Sequence, residues 1–307
     1  MSFEHAPASR AGFKRRRFAK KALLAVTILV FLSLFPLIYY ETRGRSSVER
    51  RQLRNFFESG DFETAYASSK AILQEKPMDP FVLTINGFSA YQLAIAQINN
   101  LDARSYLDEC VWSLRKALLS KENSHDGRIF YVLGKAYYYK GRGYADLAVD
   151  YLERAQNSFY AADIPEYLGL AYAGVSDYRS SVAAFTLALS ANPSDVLLLS
   201  IARSYEALEE DESAIAYLLR CIEISKDSRT IATARLLLGK ALVKTGDSSR
   251  AEKEFLKVIE EGGENAEAHY QLGELYALGG DTTRARAEWR RALRIDPTYG
   301  PARSRLN

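Results

Sequence analysis

The chain is poor in the residues that build metal centres and disulfide frameworks. Its 307 residues include two cysteines, Cys110 and Cys221, and three histidines, His5, His125 and His269. Two cysteines cannot form a disulfide framework or a cysteine-rich zinc site, and the histidines are too scattered to form a metal cluster. We therefore expect no metal site, and we interpret the two thiols as small buried side chains rather than as a redox pair.

Enzyme motifs are absent as well. Gly141-Arg142-Gly143 lacks the third glycine and the preceding strand of a dinucleotide-binding site. Gly239-Lys240 is not followed by the serine or threonine of a phosphate-binding loop. Serine, histidine and aspartate occur, but without the strand–turn–helix context of a nucleophile elbow. The sequence thus predicts no catalytic residues and no cofactor, which points away from an enzyme.

The formal net charge of +3 combines two oppositely charged parts. Residues 1–54 contain 12 lysines and arginines and 3 acidic residues, whereas residues 55–307 contain 29 basic and 35 acidic residues. Phosphates would repel the longer, acidic part, so a nucleic-acid ligand is disfavoured.

One long hydrophobic run lies in the basic part. Ala22–Tyr40 comprises 19 residues without a charge and ends in two tyrosines. A helix of this length spans about 28 Å, close to the thickness of a bilayer core. A cleaved signal peptide would need a shorter apolar core and small residues before a cleavage site, and a buried core helix would rarely be so uniformly apolar. We predict an uncleaved transmembrane signal-anchor helix over 22–40.

Flanking charges predict the orientation of this helix. Seven lysines and arginines precede the run and five arginines follow it before residue 55. The positive-inside rule then makes residues 1–21 a basic cytoplasmic tail and places residues 41–307 outside the cytoplasm. The margin is small, so the reverse orientation stays open as an alternative.

The remainder of the chain repeats at a nearly fixed interval. A Leu-Gly-x-x-Tyr pattern or a close variant recurs, with its small residue at Gly134, Gly169, Ala202, Gly239 and Gly273. The intervals are 35, 33, 37 and 34 residues. Each copy is followed by a turn and by a second helical pattern of small and large apolar residues. Such a period predicts an array of stacked helical hairpins, because one hairpin cannot bury its own apolar face.

The last copy shows the complete pattern, which comprises Leu272, Gly273, Tyr276, Gly280, Asp281, Ala285, Trp289, Ala292 and Pro297. These residues resemble the tetratricopeptide repeat family, whose unit is a 34-residue helix–turn–helix. The resemblance covers residues 46–299. It implies an all-α fold, a right-handed α-solenoid of about seven repeats, and the transmembrane helix predicted from the hydrophobic run precedes it.

The predicted units lie near 46–79, 80–126, 127–161, 162–195, 195–228, 232–265 and 266–299, and 300–307 is a C-terminal tail. The second unit is about 12 residues too long, and we expect the excess around 94–104 to lengthen both of its helices and the loop between them. Because only a short tail follows the last unit, we expect the apolar face near Trp289 and Leu293 to be exposed as a contact surface.

In the family, positions 2, 5, 9, 12 and 13 of each first helix line a concave groove. Carried over to this sequence, the predicted partner-binding residues are Arg128, Tyr131, Lys135, Tyr138, Tyr139, Arg203, Lys240 and Lys244. Further residues mapped to this wall are Arg50, Arg54, Phe57, Phe88 and Tyr91, with Glu166, Glu206, Glu267 and Glu274 making its charge mixed. We expect a protein or peptide partner, and the cations favour an acidic one. The alternative is that these are ordinary solvated helix residues.

The predicted function is that of a non-enzymatic scaffold in the inner (cell) membrane. Its repeat array would project into the periplasm or another extracytoplasmic space and would bind a protein partner during assembly, secretion or the work of a membrane-associated machine. The alternative is a cytosol-facing membrane adaptor or protein-import receptor. The sequence predicts neither the partner nor the oligomeric state.

Overall fold

A computed structural model describes residues 48–97, 102–262 and 265–306. The predicted cytoplasmic tail at 1–21 and the predicted transmembrane helix at 22–40 lie outside these residues. Among the helices that are described, none is long and apolar enough to cross a membrane.

All regular secondary structure in the described residues is helical. Helix α1 covers residues 48–58 of the described chain. It is followed by α2 (Phe62–Glu75), α3 (Pro80–Ala96), α4 (Asp102–Ala117), α5 (Gly127–Lys140), a 3-10 turn (Arg142–Tyr144), α6 (Ala145–Gln156), α7 (Ile164–Gly174), α8 (Tyr178–Ala191), α9 (Asp195–Ala207), α10 (Asp211–Ile224), α11 (Ser228–Lys244), α12 (Ser248–Gly262), α13 (Ala266–Leu278), α14 (Thr282–Ile295) and α15 (Gly300–Leu306).

From α2 onward, each α-helix contacts the next one along the chain, as expected for stacked hairpins. Odd-numbered helices up to α13 are the first helices of the seven units and even-numbered helices are the second. The fold is therefore an all-helical solenoid of the tetratricopeptide type, as the repeat pattern predicted.

Glycines in the first helices let the two helices of a hairpin approach closely. A Cβ atom at Gly169 would lie 2.5 Å from Cδ1 of Phe185, and one at Gly273 would lie 2.6 Å from the Trp289 ring. No real Cβ atom tolerates such distances without a shift of its neighbour. The recurrent small residue therefore makes room for a large side chain of the second helix, which confirms its interpretation as a packing position.

The turns inside the units follow from local chemistry. Gly280 has φ +82°, where glycine is favoured, and the Asp281 side chain accepts a hydrogen bond of 2.9 Å from the Arg284 amide at the start of α14. In units four and five the left-handed position is occupied by Ser176 (φ 64°) and Glu209 (φ 60°). A side chain in this conformation costs about 1 kcal/mol, so these two turns are strained relative to the others.

The second unit carries a polar group in its core. Asn86 of α3 is completely buried and accepts a hydrogen bond of 2.7 Å from the Ser69 hydroxyl. Its amide donates to Ser113 Oγ at 2.7 Å and to Glu109 Oε1 at 3.0 Å. The position before the first-helix small residue is leucine or isoleucine in units three to seven. Unit two therefore replaces an apolar contact with a satisfied hydrogen-bond network. Its helices have 17 and 16 residues, as the extra length of this unit predicted.

Two boundaries differ from the sequence-based expectation. Helix α11 begins at Ser228, four residues before the predicted start of unit six, because the Asp227 side chain accepts from the Thr230 amide and caps it there. The region predicted as a tail at 300–307 forms helix α15 over Gly300–Leu306.

Helix α15 covers the end of the array. Ala302 is completely buried against α14, Trp289 is only 8% exposed, and Leu293 and Leu306 pack against the same cluster. Arg305 forms a bidentate ion pair with Glu274 of α13. The prediction that the last apolar face is exposed is therefore wrong, because a short helix buries it.

Candidate functional site

The inner wall of the array is the surface formed by its first helices. Contacts join α3 to α5, α5 to α7, α9 to α11 and α11 to α13, whereas successive second helices in the described chain touch less or not at all. First helices are therefore closer together, which places them on the inside of the curve. All eight predicted groove residues lie on first helices, Arg128 to Tyr139 on α5, Arg203 on α9, and Lys240 and Lys244 on α11.

The central part of this wall is the tyrosine cluster, defined as Tyr91, Tyr131, Tyr138, Tyr139 and Tyr167 of α3, α5 and α7. The ring centroids of Tyr138 and Tyr139 are 5.2 Å apart, and that of Tyr167 lies 5.4 Å from Tyr138. The hydroxyl oxygens of Tyr139 and Tyr167 are 2.7 Å apart and share a hydrogen bond. Edge-to-face pairs of this kind hold the rings in fixed orientations. The cluster thus offers a rigid aromatic surface.

Lys135 lies at the centre of the cluster. Its Nζ atom donates to Asp163 Oδ2 at 2.8 Å and to the Tyr131 hydroxyl at 2.9 Å, and it lies 4.3 Å from the Tyr167 ring centroid. Burial alone would lower the pKa of Lys135, but the hydrogen bonds from the ammonium group to Asp163 and Tyr131 outweigh burial and raise this pKa. Lys135 is therefore charged, and its charge is balanced within the chain.

The same cluster keeps Tyr131 and Tyr167 protonated. Burial, assisted by the hydrogen bond to Asp163, raises the pKa of Tyr131. Burial and the neighbouring Tyr139 raise the pKa of Tyr167 as well. Neutral phenols can donate hydrogen bonds and present apolar faces, but they cannot act as bases at neutral pH.

Tyr167 of this cluster and Asp163, which is bonded to it through Lys135 and Tyr131, were missed by the sequence reasoning. Asp163 occupies position 2 of unit four, a groove position that the family pattern already designates, so it could have been included among the inner-wall residues. Tyr167 stands at position 6, which the pattern does not include. The pairing of α5 with α7 depends on how far one unit is offset from the next, and this offset is not encoded in the repeat period.

The other predicted cations also have carboxylate partners within the chain. Arg128 binds Asp126 through Nη2 at 2.7 Å. In the C-terminal half, Lys240 lies 3.5 Å from Glu206, and Lys244 lies 3.3 Å from Asp211. These two ion pairs connect α11 with unit five.

Arg203 is the exception. It is exposed on α9 and has no ion pair among the residues that the structure describes. The inner wall is thus less basic than a list of its cations suggests, since four of the five cations among the predicted partner-binding residues pair with carboxylates of the chain.

Two cavities open on this wall at opposite ends of α5. One of about 550 Å³ lies against Tyr138, Tyr139 and Arg142 at the C-terminal end and is closed on the other side by α7, including Leu170 and Ala173. Such a volume accommodates several side chains of a peptide.

The second cavity, of about 450 Å³, lies against α1 and α3 at the N-terminal end of α5 and is lined by Phe57, Phe81, Phe88 and Arg128. From Arg128 to Tyr139 is about 17 Å along the helix axis. Tyr131 and Lys135 lie between the two cavities, on the same helix face. The inner wall of units one to four can therefore contact an extended chain over about five residues.

The cysteines and His269, residue types that can be reactive or bind metals, contact other side chains of the array. Burial raises the pKa of Cys221 to about 11 and raises that of Cys110 further, which keeps both thiols protonated and unreactive. His269 Nδ1 lies 2.7 Å from Glu288 Oε2. Within the described ranges, no group of three histidine, cysteine or acidic side chains could hold a metal ion.

Comparison with known proteins supports the repeat assignment. Residues 197–228 and 236–300 match models described as tetratricopeptide repeat. The chain is 28% identical over 180 residues to the anaphase-promoting complex subunit CDC16 of Saccharomyces cerevisiae, a match that covers 57% of this chain and 21% of that protein. The chain thus corresponds to about a fifth of the length of this curated relative.

Solved structures show the same fold at low identity. The C-terminal part of a TPR repeat-containing protein from Cytophaga hutchinsonii superposes with a TM-score of 0.60 at 17% identity, covering 84% of this chain and 99% of that one. The type IV pilus biogenesis factor PilW superposes with a TM-score of 0.55 at 18% identity, covering 72% and 98%. Residues 197–228 and 236–300 are therefore tetratricopeptide repeats, and the array as a whole shares the fold of these solved structures.

Proposed function

We propose that this protein is a non-enzymatic scaffold, anchored in the inner (cell) membrane by one helix at 22–40, with its N-terminus in the cytoplasm. The repeat array stands in the periplasm or another extracytoplasmic space and binds a protein partner on its inner wall. In this way it supports assembly, secretion or a membrane-associated machine. The observation that carries the proposal is the tyrosine cluster, which lies along α5 between two open cavities.

The chemistry of the inner wall indicates the kind of segment that it binds. Tyrosine faces supply contact area at low entropy cost, and aromatic-lined grooves suit extended peptides with apolar or proline side chains. Lys135 is already bonded to Asp163. An acidic partner would have to displace that carboxylate, so the cations of this wall position the tyrosines more than they attract charge.

The curated relative supports a scaffold role, since it is itself a subunit of a multiprotein complex. The solved structures support the fold alone, because their identity to this chain is below 20%.

Blocking the larger cavity tests the binding site. Ala173 of α7 lines that cavity, so Ala173→Arg would fill it and leave the tyrosine cluster intact. The matched control is Leu219→Arg, on the second-helix side, where Leu219 is already exposed. We expect crosslinking in membranes to capture the same partner with the original chain and with Leu219→Arg but not with Ala173→Arg, while both variants melt cooperatively. Capture by Ala173→Arg at the original yield would contradict the assignment of the inner wall.

A reporter fused after Asn307 tests the orientation. We expect it to be active only outside the cytoplasm, since seven positive charges precede residues 22–40 and five follow. Activity only in the cytoplasm would favour the alternative function of a cytosol-facing adaptor or protein-import receptor.

A further inference from the structure

The end of the array differs in charge from the remainder. Residues 282–306 contain seven arginines, no lysine and only two acidic residues, whereas residues 55–281 contain 22 basic and 33 acidic residues. A strongly basic end therefore adjoins a strongly acidic body.

Four of these arginines are used inside the chain. Arg284 binds Asp281 at 2.6 Å, and Arg291 forms an ion pair with Glu288. Arg305 holds α15 on Glu274, as described above. Arg303 donates to the Pro297 carbonyl at 2.5 Å. Their roles are structural.

The other three form the arginine stripe, defined as Arg286, Arg290 and Arg294 of α14. All three are exposed and have no carboxylate partner among the residues described. Their spacing of four residues places them on one helix face, about 6 Å apart along the axis. The stripe is on a second helix, so it is separate from the inner wall.

The surface beside the stripe is partly apolar. Ala287 and Leu293 of the same helix lie next to Arg290, Arg291 and Arg294 and line a shallow, open depression with them. A ligand on the stripe can therefore place an apolar side chain against this surface while it pairs with the guanidinium groups. This combination is typical of protein interfaces, where arginine is enriched and lysine is depleted.

The negative charge of residues 55–281 limits the length of a ligand that can bind the stripe. A long polyanion, such as a nucleic acid or an anionic bilayer, would extend beyond the stripe over the acidic units and be repelled there. A short acidic peptide confines its charge to the stripe, and each guanidinium can bind one carboxylate through two parallel hydrogen bonds. We propose that the arginine stripe docks a short acidic segment of a partner protein.

Binding of a fluorescein-labelled deca-glutamate peptide tests this proposal. The full-length chain is kept in a non-ionic detergent, and in it and in every variant the seven lysines and arginines of residues 10–21 are replaced by glutamine so that they do not bind the probe. The titration is made at low salt, with fluorescence anisotropy as the readout. We expect Arg286→Ala, Arg290→Ala and Arg294→Ala together to weaken binding at least tenfold, which corresponds to about 1.4 kcal/mol. Replacement of the same arginines by lysine keeps the charge but not the fork geometry, so we expect a smaller loss, about threefold.

The matched control removes three other exposed cations, Arg104, Lys226 and Arg229, by replacement with alanine. It lowers the net charge equally, and we expect less than a twofold change in affinity. Equal weakening by the two triple variants, or no binding of deca-glutamate to the original chain, would overturn the proposal. Tighter binding of 20-nucleotide single-stranded DNA or of mixed micelles that contain phosphatidylserine, lost with the stripe, would overturn it too and assign the stripe to phosphate. Circular dichroism melting verifies that each variant is folded.

Discussion

The two halves of the array share their packing but differ on the inner wall. In units one to four this wall carries phenylalanine and tyrosine rings in mutual contact, such as Tyr138 against Tyr139 and Tyr167. In units five to seven the corresponding surface carries ion pairs between neighbouring units, such as Lys240 with Glu206. Both halves bury the same type of glycine-to-ring contact beneath this surface, at Gly169 and at Gly239.

This difference distinguishes the residues that stabilise the array from the residues that its inner wall exposes to a partner. The packing positions recur because every hairpin must bury the same face against its neighbours. Inner-wall residues do not take part in that burial to the same extent, so they can differ between units. We therefore attribute stability to the shared positions and recognition to the aromatic half.

The substitutions with the largest expected effect on stability test the packing that both halves share. Gly169→Leu would drive a side chain into Phe185, and Gly239→Leu would do the same to Phe255. We expect each substitution to lower the free energy of unfolding by about 3 kcal/mol or more, through overpacking. Thermal unfolding followed by circular dichroism measures both losses.

The control for this pair is Gly143→Ala, where a Cβ atom would meet nothing within 4 Å. We expect it to change stability by less than about 0.5 kcal/mol. If either leucine variant melted like the original chain, the packing register of that half would be wrong.

A substitution with a smaller expected effect on stability tests the buried hydrogen-bond network of Asn86, which only the first half contains. Asn86→Leu would install the residue type that other units have, but it would leave Ser113 and Glu109 without the Asn86 amide, and Ser69 would keep only its bond to the Tyr66 carbonyl. We expect a loss of about 2 kcal/mol, the cost of unsatisfied buried polar groups. Adding Ser69→Ala and Ser113→Ala should recover most of this loss in urea denaturation. Failure of the triple variant to recover would mean that the network specifies the packing of unit two.

The smallest expected effects are the coupling energies of two ion pairs, one from each half. Lys135 is 12% exposed and pairs with Asp163, whereas Lys240 is 33% exposed and lies farther from Glu206. Double-mutant cycles with methionine and amide replacements should give a coupling energy of about 1 kcal/mol for the first pair and about 0.3 kcal/mol for the second. Equal couplings would remove the energetic distinction between the two inner walls.

The repeat period predicted most of the fold, because packing positions recur at sequence distances that can be counted. The resemblance to the tetratricopeptide repeat family implied that Tyr131, Lys135, Tyr138 and Tyr139 lie together on the inner wall. It could not predict the bond from Lys135 to Asp163, since that bond depends on the offset between units.

The terminal helix was missed for a different reason. Helix α15 has seven residues and no counterpart in the repeat, and only Ala302 and Leu306, four residues apart, indicate its apolar face. The arginine stripe was overlooked because charge was summed over the whole array, which hid the reversal of sign after residue 281.

The covering of α14 by α15 has a consequence for the order in which the array opens. In a linear array, local unfolding starts at an end where a unit has a neighbour on one side only. Ala302 and the Arg305–Glu274 pair give the seventh unit packing contacts on its C-terminal side. We expect backbone amides of α13 and α14 to exchange with solvent deuterium as slowly as those of interior units, so that fraying does not begin at the C-terminal end.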